Sequence, residues 1–152
     1  MPVNNQGRIK VFYLIENLNA GGAEQLLLTT LKYINRDKFF PVVYCISQKG
    51  AIACEIEEQA GITVGLLNQK CRLWSVGIIV KLIKVFLKEK PHILHTHLFY
   101  ANYFGRIAAI LSRVPVIIIT EHGTYSNFKK FYHHWIDFAL SFFTDGIIAV
   151  SK

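Results

Sequence analysis

Residues 9–34 read IKVFYLIENLNAGGAEQLLLTTLKYI. The first seven, Ile9 to Ile15, are almost continuously apolar and rich in β-formers, which reads as a strand covered on both faces. Gly21-Gly22 breaks the pattern. Ala23 to Ile34 then puts Leu27, Leu31 and Ile34 on one side at helical spacing, so the stretch predicts strand, glycine turn, helix.

The same alternation continues along the chain. Phe40 to Ser47 reads as a strand with Pro41 at its start, where a missing N–H is tolerated. Ala51 to Ala60 reads as a helix stopped by Gly61, and Ile62 to Leu67 as a third strand. Trp74 to Glu89 is helical, with Lys81, Lys84 and Lys88 on one stripe and Pro91 just beyond its end. A strand at His92 to Thr96, a helix at Phe99 to Arg113 and a strand at Pro115 to Thr120 follow. Ser126 to Phe143 is a helix carrying Phe128, Phe131, Trp135, Phe138 and Phe142, and Gly146 to Val150 a sixth strand. Six strands alternating with helices predict an α/β fold: a Rossmann-like, doubly wound parallel sheet in the order 3-2-1-4-5-6, with helices on both faces. Residues 1–8 form a polar tail and 9–152 the domain. Lys152 follows directly on a buried-looking strand, so more protein is expected beyond it.

Composition narrows the class. In 152 residues, 52% are hydrophobic and only 18% charged, against about 25% charged in an average domain, which excludes a disordered chain. Cys45, Cys54 and Cys71 are odd in number and form no CxxC pair, so reduced thiols in a cytoplasmic protein are expected. No apolar leader opens the chain, and no apolar run approaches the ~18 residues of a membrane-crossing helix. The formal charge of +7 suits an anionic partner. Nucleic acid is not expected, because the charge is dispersed and no binding motif accompanies it. Lys129, Lys130, Tyr132 and Trp135 in the aromatic helix, and the lysine stripe before it, fit either an anionic membrane surface or core-packed helices with solvated outer faces.

In a doubly wound sheet, ligands bind beyond the carboxyl ends of the strands where strand order reverses. The loop 16–22, the loop after the fourth strand with His97, and Glu121-His122-Gly123 should therefore share one rim. Gly21 and Gly22 lead into a helix N-terminus, which suits a phosphate; a plain tight turn is the alternative. His95 and His97 point the same way, with His97 at the strand tip and His95 deeper and satisfied. His122 could exchange a proton near neutral pH, hydrogen-bond a hydroxyl, or merely be tied to the backbone. His95, His97, His122 and Glu121 could also be weighed as zinc ligands, but no HExxH or cysteine pair supports this, and no metal is expected. Glu24 suits the dipole of the first helical turn.

The order of four motifs carries a resemblance. NLNAGGAEQ (Asn17–Gln25), PHILHTHLFYAN (Pro91–Asn102), VPVIIITEHG (Val114–Gly123) and TDGIIAVSK (Thr144–Lys152) together resemble the N-terminal domain of family 4 retaining glycosyltransferases of the GT-B type. The resemblance implies an acceptor-binding half of an enzyme that moves a sugar from a UDP- or GDP-type nucleotide-sugar to a glycan or lipid-linked acceptor with retention. It implies no cofactor beyond that donor substrate. It places Gly21 and Gly22 toward the donor diphosphate, His122 at the transferred sugar or acceptor as the catalytic histidine, and His97, Glu121 and Gly123 as cleft residues. The family's C-terminal donor domain, with its E-x7-E element and basic residues, is absent from this sequence. The chain is thus expected to be inactive alone and to need that domain in cis or as a partner chain. A cytoplasmic site at the inner face of a membrane would follow from a lipid-linked acceptor. A non-catalytic Rossmann-like module binding an anionic ligand or a protein is the alternative.

Overall fold

The structure, a computed structural model, describes residues 7–71, 75–122 and 131–150, with the side chains of 131–134 left aside. Its elements run β1 (Ile9–Ile15), α1 (Gly22–Tyr33), β2 (Phe39–Cys45), α2 (Ala51–Ala60), β3 (Val64–Leu66), α3 (Val76–Glu89), β4 (Ile93–His97), α4 (Phe99–Leu111), β5 (Val116–Glu121), α5 (Phe131–Ser141) and β6 (Gly146–Ala149). The strands form one parallel sheet in the order β3-β2-β1-β4-β5-β6, as the alternation predicts.

Strand β1 shows how the two layers arise. Its side chains alternate between faces. Val11, Tyr13 and Ile15 pack under α1 and α2 with Leu27, Leu31, Ile52 and Ile56. Phe12 and Leu14 pack against α3 and α4 with Ile78, Leu82, Phe86, Phe104 and Ala108. The second layer lies close to the sheet because position 105 is glycine: a Cβ there would stand 2.7 Å from Thr96 Cγ2 and 3.0 Å from Leu14 Cδ2.

Element ends follow local chemistry. Gly61 closes α2 in the left-handed conformation, φ 63°, as its position predicts. α4 stops at Leu111, short of the expected Arg113, because Arg113 turns left-handed (φ 55°) and Val114 N–H bonds back to Ala109 O. β3 is shorter than expected: only Val64–Leu66 pair with β2, while Ile62 is buried without joining the ladder. Trp74 and Ser126, the expected starts of two helices, lie outside the described residues.

Burial decides between the two readings of the aromatic helix and corrects that of the sixth strand. The described part of the aromatic row of α5 is not core: Trp135 and Phe138 are about 60% exposed and Phe142, just past the helix, is 73% exposed. Only Leu140 of α5 is buried among the residues whose side chains are described. Nor is β6 buried, since Ile147 and Ile148 are exposed. β6 is an edge strand pairing only with β5, and at the described residues little packs over its faces.

Candidate functional site

Register puts the expected rim together. Ile15 in β1 lies beside His97 in β4, and His97 beside Thr120 in β5. The segments that follow, starting at Glu16, Leu98 and Glu121, therefore emerge side by side. A cavity of about 360 Å³ opens there, lined by Asn17, Gly22, Ala23, Glu24, Leu98, His122 and Val150.

Gly22 and His122 thus share a cavity wall. A Cβ at Gly22 would meet nothing within 4 Å, so this backbone faces open space. Gly21 differs. Its backbone is extended (φ −162°) and caps α1 without a side-chain bond, and a Cβ would collide with the Glu24 carboxylate. Glu24 has folded back over the glycine turn and is 7% exposed. The amino end of α1 is partly answered by the chain's own carboxylate.

His97 is more enclosed than a strand-tip residue should be, at 2% exposure. Its ring lies 4.5 Å from that of His95, 5.8 Å from that of His122 and 6.3 Å from that of Tyr13. Among the described residues, neither of its ring nitrogens has a hydrogen-bond partner, and the same holds for His122 Nε2 and Glu16 Oε2. Buried polar atoms are ordinarily paired, so this group of unpartnered atoms at one rim marks where a polar ligand would be welcome. His95, by contrast, is satisfied as expected: its Nε2 is 2.8 Å from Thr120 Oγ1.

Burial sets the charge state. It drives the His95 imidazolium down to about pKa 4, with the positive form of His122 adding to the effect. Burial, then His95 and His122, hold His97 well below the ordinary value. His122 is also lowered by burial, though Glu24 and Glu121 oppose this. Burial raises the Glu16 carboxyl, the Tyr100 backbone N–H works against that rise, and Glu24 adds to it. Burial thus favours the uncharged form of the three imidazoles.

A polar network beneath the rim holds it. Thr96 Oγ1 donates to Asn102 Oδ1 (2.7 Å), and Asn102 Nδ2 donates to Thr120 O (3.2 Å) and reaches Glu121 Oε1 (3.5 Å). Arg106 Nε donates to Asn102 O (3.0 Å), and its guanidinium pairs with Asp137. Leu98 is the hinge of the arrangement, with φ 73° and ψ 161°, a region other residues leave to glycine. The turn it makes leads from His97 into α4, whose Tyr100 N–H meets Glu16. Among the described residues, no group of three or more His, Cys, Asp or Glu is arranged to hold a metal ion.

The structure therefore brings Gly22, His122 and Glu24 onto one cavity. Gly21 and Glu121 lie on its border, His97 lies behind His122, and Gly123 falls outside the described residues. Sequence reasoning gave Glu24 only a helix-dipole role and gave none to Glu16, Leu98, Asn102 or Arg106. Asn102 and Arg106 did leave a signal, being polar positions on the otherwise apolar face Ala101, Phe104, Gly105 and Ala108. Leu98 left none, because its backbone strain is invisible in its identity.

A doubly wound Rossmann-like sheet with a polar rim at its switch point is the class that this fold and site define. Within that class, residues 20–152 match Glycosyltransferase Family 4, and the chain belongs to that family. It is 30% identical over 94 residues to the capsular polysaccharide biosynthesis glycosyltransferase CapH of Staphylococcus aureus, covering 62% of this chain and 25% of that protein. It is 25% identical over 114 residues to CapM of the same organism, covering 72% of this chain and 30% of that one. A 45-residue stretch, 30% of this chain and 12% of the relative, is 44% identical to the Escherichia coli UDP-Gal:alpha-D-GlcNAc-diphosphoundecaprenol alpha-1,3-galactosyltransferase. The chain thus spans less than a third of the length of these relatives. Among solved structures, a UDP-N-acetylglucosamine 2-epimerase superposes with a TM-score of 0.64 at 16% identity, covering 93% of this chain and 42% of that one. The Neisseria meningitidis UDP-GlcNAc 2-epimerase bound to UDP-GlcNAc gives 0.60 at 16% identity, with 93% and 40% coverage. At that identity the likeness speaks for the fold.

Proposed function

We propose that this chain is the N-terminal, acceptor-side domain of a retaining GT-B glycosyltransferase serving polysaccharide or lipid-linked glycan synthesis. Its donor is a nucleotide-sugar of UDP or GDP type, and it uses no other cofactor. The bond from the sugar's anomeric carbon to the diphosphate breaks, a bond from an acceptor hydroxyl oxygen forms on the same face, and the hydroxyl's proton passes to the departing diphosphate. His122 meets the sugar or the acceptor, Gly22 and Gly21 lie toward the diphosphate, and His97, Glu121 and Gly123 shape the cleft.

The observation that carries this reading, beside family membership, is the rim's store of unpartnered polar atoms on uncharged imidazoles. A neutral imidazole offers one donor and one acceptor, which fits sugar hydroxyls. The named substrate of the E. coli relative, a diphosphoundecaprenol-linked sugar, supports a lipid-linked acceptor and with it a membrane-side location. Departing diphosphate needs cationic or N–H stabilisation, and this chain's rim holds carboxylates. We therefore assign the cationic part to a separate C-terminal domain and expect no turnover by residues 1–152 alone.

The test is complementation. Adding a folded C-terminal donor domain to this chain should produce sugar transfer from a nucleotide-sugar, and His122→Ala should cut kcat by about a hundredfold or more. Absence of turnover with a folded, nucleotide-binding partner domain would favour a non-catalytic binding module.

A further inference from the structure

We propose that a cavity at the end of the sheet opposite the rim binds a soluble phosphate monoester, its phosphate on Lys90 and Arg113 and its apolar body on the cavity floor. The α3–β4 and α4–β5 turns run side by side just before β4 and β5 begin at Ile93 and Val116, because those two residues are partners in register. Between the turns lies a cavity of about 370 Å³, lined by residues 86, 87, 90–92 and 112–115. That volume suits a small organic molecule. Its apolar part comes from Phe86, Leu87, Pro91, Val114 and Pro115. Its polar part is cationic or hydrogen-donating, and no carboxylate lines it. The cavity is remote from the rim, so its occupant is a further ligand beside any donor or acceptor, whatever reaction the rim supports.

Lys90 and Arg113 are exposed, and neither forms an ion pair among the described residues. The nearest carboxylate in sequence, Glu89, is held by the buried Lys10, whose Nζ lies 3.3 Å from its Oε2. His92 Nδ1 accepts from the Lys10 N–H at 2.9 Å, so the hydrogen of the neutral ring sits on Nε2 as a further donor. Ser112 completes the wall. Its Oγ is buried with no hydrogen-bond partner among the described residues, where a buried hydroxyl ordinarily has one. The carboxyl ends of α3 and α4 meet here, and a basic residue near such an end is favourable by itself. Two observations go beyond that. The last carbonyls are already engaged: Lys90 N–H bonds to Phe86 O, Ser112 N–H to Ala108 O, Arg113 N–H to Ile110 O and Val114 N–H to Ala109 O, so few remain to repel an anion. Lys90 (φ 48°) and Arg113 (φ 55°) also hold the left-handed conformation that glycine ordinarily supplies after a helix, so each cation is kept at a conformational cost. An arginine fork and a lysine above an apolar floor match a phosphate carried on a compact apolar body.

Titration of the 152-residue chain with phenyl phosphate, followed by backbone NMR, tests this. The amides of Lys90, His92 and residues 112–114 should shift together and saturably, and those of Asn17 to Glu24 at the rim should stay in place. Lys90→Gly with Arg113→Gly should weaken binding about tenfold or more. The same pair should leave the melting temperature unchanged or raised, because glycine relieves the left-handed backbone. Lys90→Gln with Arg113→Gln keeps most of the side-chain stems and should weaken binding as much. Lys38→Gln with Lys70→Gln removes the same charge at exposed positions elsewhere and should change binding by less than about twofold. Phenol lacks the phosphate and inorganic phosphate lacks the ring; each should bind at least about tenfold more weakly. Equal loss in the cavity pairs and the Lys38/Lys70 pair would overturn the proposal by showing a diffuse field. Shifts confined to the rim, phenol or inorganic phosphate binding as tightly as phenyl phosphate, or no saturable shift at millimolar ligand would overturn it too. Dihexanoyl phosphatidic acid offers the same phosphate on a lipid; tighter binding of that molecule at these residues would reassign the cavity to a lipid headgroup and overturn the soluble ligand.

Discussion

His97 shows at single-residue scale what burial does to a titratable group. Its ring is enclosed among His95, His122 and Tyr13, and its charged form is strongly disfavoured. The unfolded chain takes up protons on its histidines near pH 6.5, whereas in the fold His95 waits until about pH 4. A lowered folded pKa means that stability is full above pH 6.5 and is lost as pH falls toward 4. His95 alone accounts for up to about 3 kcal/mol over that window. Glu16, whose carboxyl is raised, acts in the opposite direction and returns part of it. Urea unfolding at pH 7.5 and pH 5 should show the net loss, and His95→Gln should flatten the slope. A slope unchanged by that substitution would place the pH dependence elsewhere. His97 and His122 were legible in the sequence as rim residues and His95 as a deeper one, since strand alternation and topology are enough to align them. That His97 would be sealed was not legible, because its enclosure involves rings far from it in the chain, Tyr13 on β1 and His122 just after β5.

α4 and α5 carry the lesson at the scale of elements. α4 was legible because its apolar face is nearly continuous and Gly105 permits close packing on the sheet. Its polar members, Asn102 and Arg106, are 3% and 2% exposed and make sense only once Thr96, Thr120 and Asp137 are in place. Asp137→Asn would leave the Arg106 guanidinium buried without its counter-charge. We expect about 2–3 kcal/mol of destabilisation, less than a fully buried pair would lose because Asp137 is 26% exposed. Denaturant unfolding checks the value, and a change below about 0.5 kcal/mol would mean that water already serves the arginine. The sequence left α5 open between two readings for a physical reason. A 3-4-3-4 aromatic spacing states that one side of a helix is apolar, and it does not state what covers that side. Here the described part of the row faces outward.

At the scale of the whole molecule, the outward aromatics of α5 join Phe143, Ile147 and Val150 near the β6 edge, all of them exposed. Exposed apolar area on this scale promotes association. Sedimentation velocity should show concentration-dependent self-association of the chain. Replacing Trp135, Phe138 and Phe142 together by serine should suppress it while moving stability only slightly, since surface positions contribute little to the folded state. A marked loss of stability would instead show that these rings pack within the domain.

The sequence by itself determined the order of strands and helices, the parallel doubly wound class, the end of the sheet at which the rim loops gather, and the family motifs. All of these follow from periodicity, glycine and proline placement and the handedness of crossovers, which are local or topological properties. Only the tertiary structure decided which polar groups are enclosed without partners, which carboxylate lies over the glycine turn, and which helix faces remain outside. Those outcomes depend on residues far apart in the chain, Glu16 beside Tyr100 and Arg106 beside Asp137, whose proximity no local pattern encodes.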